Sequence, residues 1–390
     1  MKVLLVEPPY KVKIPSAGLM RISSWHKMKG DDVHYVVGNK AVGLPNFDRI
    51  YITSIFTYDY KIVKETCKYY RFHFPKAEVW LGGLAATLSL DKQATFSFEN
   101  LGLDKIHNGL LDEEIDDMPL DYSFHPNIDF SIVLSTRGCI RKCKFCCTRI
   151  HEPLFKIKKN IEQYINPKLD KIQCWDNNAL ASPYFKDLID VLQKYPNQVV
   201  DFNQSLDIRL LDKQKAELLK KINIYPLRFS FDDIKYKDGF MRGVEVLKSA
   251  GIKTEVRVDV LYNFEDTPED FYRRMQICLE VGFCPYPMLF KPIFSPDKRY
   301  IGTNWSVEEL TKWKLFCKSQ LGRQGDFFNP RCYVYFKNKR VKMTEVFKER
   351  LFLTPDKNTQ QEYRQEIIKT INPKQYEREA KKKDKQMKLF

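Results

Sequence analysis

Residues 135–147 read Ser-Thr-Arg-Gly-Cys-Ile-Arg-Lys-Cys-Lys-Phe-Cys-Cys, which places Cys139, Cys143 and Cys146 on one short stretch with three and then two residues between them. Three thiolates on one loop can converge on three irons of a cubane iron–sulfur cluster. A cube has four irons, so a set of three ligands leaves one open, as catalytic metal sites keep an open position. An open iron can chelate an amino group and a carboxylate from a small molecule. Arg137, Arg141, Lys142 and Lys144 flank the thiols and would offset part of the cluster's negative charge. Zinc is the alternative, and Cys147 and His151 could complete its usual four ligands. Cys147 otherwise reads as a small packed hydrophobe facing away from the cluster. Cys67, Cys174, Cys278, Cys284, Cys317 and Cys332 show no short paired spacing and mark no second motif.

The loop needs a scaffold, and the sequence outlines an α/β one. A chain of 390 residues is long for one compact domain, so two domains or a barrel with an appendage are expected. Residues 2–6 (KVLLV) read as a buried parallel strand rather than a leader, because Glu7, Pro8 and Pro9 end the apolar run. A helix follows from about Ser16 to Gly30, with Leu19, Ile22, Trp25 and His26 on one face. Further strands are expected at 33–37, 49–55 and 78–81, with a helix at 60–73. This alternation predicts a small Rossmann-like, doubly wound domain over residues 1–90. No G-x-G-x-x-G follows the first strand, so a dinucleotide site is not supported. Residues 91–127 read as a linker. The alternation resumes with strands expected at 130–134, 172–175, 199–203, 227–231, 255–261 and 287–290. Six βα-like units over 128–295 predict a partial (β/α)6 TIM-like barrel. Residues 296–390 form a C-terminal extension with a basic tail. The three cysteines follow the first barrel strand, at the rim where such folds place chemistry.

The Cys-x3-Cys-x2-Cys loop, with Phe145 before its last cysteine, resembles that of the radical S-adenosylmethionine superfamily. Residues 1–90 look like the cobalamin-binding-type domain that precedes the radical domain in many members. The resemblance covers roughly residues 1–295, strongly at the motif and by layout elsewhere. It implies a [4Fe–4S] cluster on Cys139, Cys143 and Cys146 that reductively cleaves S-adenosylmethionine to a 5′-deoxyadenosyl radical. It also implies that Phe145 packs near the adenine, and that an external flavodoxin- or ferredoxin-like donor supplies the electron. Asp176, Asn177 and Asn178, after Trp175, sit where members receive the methionine amino group, although the usual Gly-Gly-Glu is missing. Polar residues on later strands are candidates for the ribose and the methionine carboxylate: Ser230, Asp232 and Asp233 on the fourth, Glu255, Arg257 and Asp259 on one face of the fifth. Asn203, Gln204, Asp207 and Arg209 are substrate candidates after the third strand. No residue is singled out as a catalytic acid or base. The cobalamin signature Asp-x-His-x-x-Gly is absent, and His26, His34 and His73 are placed wrongly for it. Cobalamin is therefore a minority expectation.

Function is narrower than the fold alone allows. A formal net charge of +15 points to an anionic substrate, nucleic acid or nucleotide among them. Phe327, Phe328, Arg331, Tyr333, Tyr335, Phe336, Lys337, Lys339 and Arg340 would suit single-stranded nucleic acid, although Tyr333–Phe336 reads equally as a strand of the extension. The alternatives are a radical enzyme acting on a peptide or small metabolite, including a cobalamin-dependent methyl transfer, and a non-catalytic cluster- or zinc-bearing interaction module. No apolar run approaches the ~20 residues of a membrane span, and no membrane partner is expected. The ten cysteines lack a secretory context, so the expected location is the cytoplasm.

Overall fold

The computed structural model describes residues 1–320 apart from Lys13 and Val42, the strands Tyr333–Phe336 and Lys339–Lys342, and Glu345. The chain forms two compact units. The first holds residues 1–204, 218–224 and 291–300; the second holds 205–217, 225–290 and 301 onward.

The first unit opens with a five-stranded parallel sheet. Its elements are β1 (Lys2–Glu7), α1 (Ala17–Met28), β2 (Asp32–Val37), β3 (Arg49–Thr53), α2 (Tyr60–His73), β4 (Glu78–Gly82), α3 (Leu84–Ser89) and β5 (Lys105–Ile106). The strand order is β2-β1-β3-β4-β5. Val3, Leu4, Leu5 and Val6 are wholly buried, as a strand covered on both faces requires. The chain leaves β1 towards β2 and returns on its other side to β3. That reversal is a topological switch point, where doubly wound sheets leave a crevice beyond the carboxyl ends of their strands. Ser16 caps α1 by accepting the Leu19 N–H at 3.4 Å. His26 is buried, with Nδ1 on Asp31 (2.6 Å) and Nε2 on Tyr51 (3.1 Å), so both ring nitrogens serve packing. The segment read as a linker supplies β5 and the short helix α4 (Glu113–Asp116). Asp121 ties it to α1 by accepting from Ser23 Oγ and Lys27 Nζ, both at 2.6 Å.

A three-stranded parallel sheet follows in the same unit, in the order β10-β9-β6. It comprises β6 (Phe130–Val133), β9 (Lys171–Cys174) and β10 (Val199–Phe202), with helix α6 (Phe185–Leu192) between the last two. Beyond β6 lie the paired two-residue strands β7 (Thr136–Arg137) and β8 (Lys156–Ile157), which enclose the cysteines and the short helix α5 (Thr148–His151). Helix α7 (Lys213–Leu219) comes next in the chain.

The second unit holds another parallel sheet, β11 (Leu227–Ser230), β12 (Val256–Tyr262) and β13 (Cys284–Leu289), in that order. Helices α8 (Lys237–Ala250) and α9 (Pro268–Glu280) connect the strands, and α10 (Val307–Gln320) follows. Thr267 and Asp270 form a reciprocal capping box at the start of α9. Along β12, Val256, Val258, Val260 and Tyr262 are buried while Arg257, Asp259 and Leu261 are only partly so. All the strands expected from the sequence form, most with ends shifted by one or two residues; the last begins at Cys284. The sheets are parallel, as expected, and Tyr333–Phe336 pairs antiparallel with Lys339–Lys342 as β14 and β15. Phe327, Phe328, Arg331, Lys337 and the basic tail lie outside the described residues. Among those described, no helix is long and apolar enough to cross a membrane.

Candidate cluster and substrate site

Two buried carboxylates fix the cysteine loop. Asp176, just past β9, accepts at one oxygen from Ser135 N (2.9 Å), Ser135 Oγ (2.6 Å), Thr136 N (2.6 Å) and Thr136 Oγ1 (2.7 Å). It thereby clamps the exit of β6. Burial pushes its pKa up, and the bonds from Ser135 and Thr136 oppose that. Glu152, at the end of α5, accepts from Gly138 N (2.6 Å), Asn177 Nδ2 (3.0 Å) and Arg137 Nη1 (3.2 Å). Gly138 has φ 73°, and a Cβ there would stand 2.2 Å from Leu154 O. The residue before the first thiol must therefore be glycine. Arg137 departs from the expectation that it offsets cluster charge: it is turned to Asp116 and Glu152.

The three thiols are partly exposed, unlike buried Cys67, Cys174, Cys278 and Cys284. The Cys146 N–H donates to Cys143 O at 3.1 Å, closing a turn around Phe145, which is half-buried. Cys139 Sγ accepts from the Arg141 N–H at 3.3 Å and faces Asn178 Nδ2 at 3.6 Å. N–H bonds of this kind tune cluster thiolates. The Cys146 pKa is lowered, chiefly by its hydrogen bond with the Cys147 thiol, with help from Thr148. Cys147 is raised for the reciprocal reason and also packs against the core of the first sheet. His151 turns Nδ1 to Thr87 Oγ1 at 3.0 Å. Among the described residues, no three His, Cys, Asp or Glu side chains gather around a point as one metal ion would need. A partly exposed three-thiol loop, with a backbone N–H on the Cys139 sulfur, is a donor set that fits an iron–sulfur cluster.

The turn after β9 adjoins this loop. Asn177 accepts from Thr148 Oγ1 at 2.9 Å, and Thr148 in turn contacts Cys146 Sγ at 3.2 Å. Asn178 is buried, and its Oδ1, like Asp176 Oδ2, is a buried acceptor with no partner. Two orphaned acceptors on this turn, one of them on the residue whose Nδ2 faces Cys139, are suited to an ammonium donor. Asn203 gives its N–H to Cys174 O at 3.1 Å, and Gln204 is exposed.

The remaining candidates lie in the second unit. Arg257 Nε donates to Glu255 at 2.6 Å, and Ser205 Oγ donates to Asp259. Ser230 is in register with Asp259, and Asp232 accepts from the Leu261 N–H at 3.3 Å. The polar face read from the alternation is therefore real. Asp207 is buried, caps residues 208–210 and chelates Arg209 at 2.6 and 2.9 Å, a structural arrangement. Asp233 caps the turn at 234–236.

A cavity of about 390 Å³ opens in the first unit at the switch-point crevice. Its walls come from the start of α1, the strand ends around Ser54 and Gly83, and the segment 107–116. Cys147, Thr148, Trp175, Asn177 and Gln204 line it as well, so it reaches the cysteine loop. Arg21, Asp116 and Glu152 belong to this site and carry no local sequence signal, save that Arg21 is a charge on the buried side of an amphipathic helix.

No protein-family model matches the chain, and no curated protein does. Among solved structures it is similar to SuiB of Streptococcus suis bound to S-adenosylmethionine, at 12% identity and a TM-score of 0.34, over 49% of this chain and 44% of that one. It is also similar to apo OxsB, a cobalamin-dependent S-adenosylmethionine radical enzyme, at 9% identity and a TM-score of 0.47, over 93% of this chain and 56% of that one. The chain thus spans about half the length of these structures.

Proposed function

We propose that this protein is a radical S-adenosylmethionine enzyme. One observation carries the reading: the three-thiol loop after β6 lies against the Asp176–Asn178 turn after β9, where two buried acceptors have no partner. Cys139, Cys143 and Cys146 would hold a [4Fe–4S] cluster, and Asn178 Oδ1 with Asp176 Oδ2 would receive the methionine ammonium. When bound, the cluster supplies the electron that cleaves the sulfonium and yields the 5′-deoxyadenosyl radical. The chain's own residues do the positioning. Asp176 and Glu152 lock the loop, the Arg141 N–H and Asn178 support the Cys139 sulfur, and Phe145 offers a ring for the adenine. Glu255, Arg257, Ser230 and Asp232, on the parallel sheet of the second unit, are proposed for the ribose and carboxylate.

The cavity beside Thr148 and Asn177 is proposed as the substrate chamber. Its volume of about 390 Å³ lies at the small end for ligand pockets, which favours a compact molecule over a corrin. Cobalamin stands behind that reading, since His26 already spends both ring nitrogens. The test is anaerobic reconstitution with iron and sulfide, then assay of 5′-deoxyadenosine release with S-adenosylmethionine and dithionite. Wild type is expected to gain a four-iron cluster and release the nucleoside; the Cys139→Ala, Cys143→Ala, Cys146→Ala triple variant should do neither. Binding of one zinc and no cluster would overturn the proposal.

A further inference from the structure

The cavity wall holds a buried cation with two unpartnered donors. Arg21 of α1 is 1% exposed, yet its Nε and Nη2 have no partner. Its hydrogen bond to Asp116 is long, with Nη1 3.4 Å from Oδ1, and its guanidinium stands 5.6 Å from the centre of the Tyr164 ring. Asp116 is already shared: Arg137 binds it through Nε and Nη2, and Lys158 Nζ sits 2.5 Å from it. Arg137 also has Glu152, and Lys158 also has Asp117. Of the three cations around Asp116, Arg21 alone has no second carboxylate among the described residues. Burial lowers its pKa, and the nearby Arg137 adds to that.

The start of α1 lines the same cavity. Helix α1 spans 12 residues and carries no acidic residue in its first turn. Ser16 already takes the Leu19 N–H, so the Ala17 and Gly18 N–H groups and the positive end of the dipole are what favour an anion. A Cβ added at Gly18 would meet nothing within 4 Å, so a ligand can approach the backbone there. Lys105 also lines the cavity; Asp112, Asp116 and Glu152 are its acidic members, the last two already paired.

We propose that the cavity takes a small molecule through an anionic oxygen group, a phosphate or a carboxylate, held by Arg21 and the first turn of α1. This names the substrate class for the chamber and rests on the reading of that cavity as the substrate site. The group completes the hydrogen bonding of the guanidinium, as a planar fork does for an oxyanion.

The test measures binding of inorganic phosphate and, separately, succinate to the reconstituted full chain at constant ionic strength, by calorimetry and by the rise in Tm. The stronger of the two identifies the group. Arg21→Met is expected to weaken that binding roughly ten- to hundredfold. Gly18→Asp supplies a second test with opposite signs. A carboxylate in the first turn should hold or raise the basal Tm through the helix dipole while abolishing the response to the anion. Failure of wild type to bind either anion overturns the proposal, as does equal binding by all three proteins. The triple cysteine variant should bind the anion like wild type. If it does and no protein releases 5′-deoxyadenosine, the radical reading has failed and the anion site stands. If release is normal and anion binding is absent, the reverse holds.

Discussion

Gly138→Ala should destroy the proposed cluster site while leaving the fold standing. Gly138 sits at φ 73°, where an alanine costs about 1–2 kcal/mol through its own Cβ. The new methyl would stand 2.2 Å from Leu154 O, 2.8 Å from Leu154 C and 2.9 Å from Glu152 O. These are backbone atoms, so no rotamer change relieves the contact. Overpacking of this kind costs roughly 1–3 kcal/mol more, giving about 2–5 kcal/mol in all. The strain is released by moving the loop away from 152–154, which breaks the 2.6 Å bond from Gly138 N to Glu152 and displaces Cys139. Gly30→Ala is the matched control: φ is 77°, but an added Cβ meets nothing within 4 Å. It should pay only the backbone cost and leave the site alone. The assay is iron and sulfide content after anaerobic reconstitution, paired with thermal unfolding. Gly30→Ala should retain about four irons with a small fall in Tm, and Gly138→Ala should lose the cluster. A Gly138→Ala protein with full iron and normal 5′-deoxyadenosine release would refute the argument that Glu152 and the glycine place the first thiol.

Three further outcomes follow from the same geometry. Asn178→Ala removes the donor facing Cys139 and an unpartnered acceptor; the KM for S-adenosylmethionine should rise about tenfold with iron content unchanged, and an unchanged KM would sink the ammonium assignment. Asp121 is held at a pKa of about 2: burial opposes this, but hydrogen bonds from Lys27, Ser23 and Ser123 outweigh it. Because the folded pKa is depressed, its stabilisation is present above the unfolded value near 4 and is lost as pH falls towards 2. Discounted for partial solvent exposure, it amounts to about 1 kcal/mol, so denaturant unfolding of Asp121→Asn should differ from wild type by that much at pH 7 and converge with it in acid. Arg274 is fully buried and donates to Phe231 O (3.1 Å), Leu261 O (2.8 Å), Asp270 O (3.2 Å) and Asp266 (2.5 Å). Arg274→Met strands Asp266 and those carbonyls and should destabilise the second unit by about 3–5 kcal/mol in equilibrium unfolding.

The strands were legible because they are apolar runs separated by helix-length spacers, and a buried parallel strand needs little else. The segment 91–127 was read as a linker because its contributions are too short to show a period: β5 is two residues and α4 is four. The thiols were legible because Cys139, Cys143 and Cys146 fall within eight residues of one another. Their supports were not. Asp176 clamps residues some forty positions earlier, and Arg137 reaches back to Asp116 across the fold. Arg137 also shows the limit of reading charge by proximity in sequence, since the basic residue nearest the first thiol on its N-terminal side is spent on buried carboxylates.

The arrangement of those carboxylates bears on how the two halves of the site act together. From the loop, contacts run from Cys146 to Thr148 and Asn177, then to Glu152, Arg137 and Asp116, and finally to Arg21 in the cavity wall. Asp116 is buried, which raises its pKa, yet Arg137, Arg21 and Lys158 together hold it below the usual carboxylate value. It therefore stays charged and keeps three cations in place. A neutral residue there would leave Arg21 and Arg137 to repel one another without screening. Since Glu152 also holds the Gly138 N–H, one chain of charged hydrogen bonds links the cavity wall to the loop that carries the thiols.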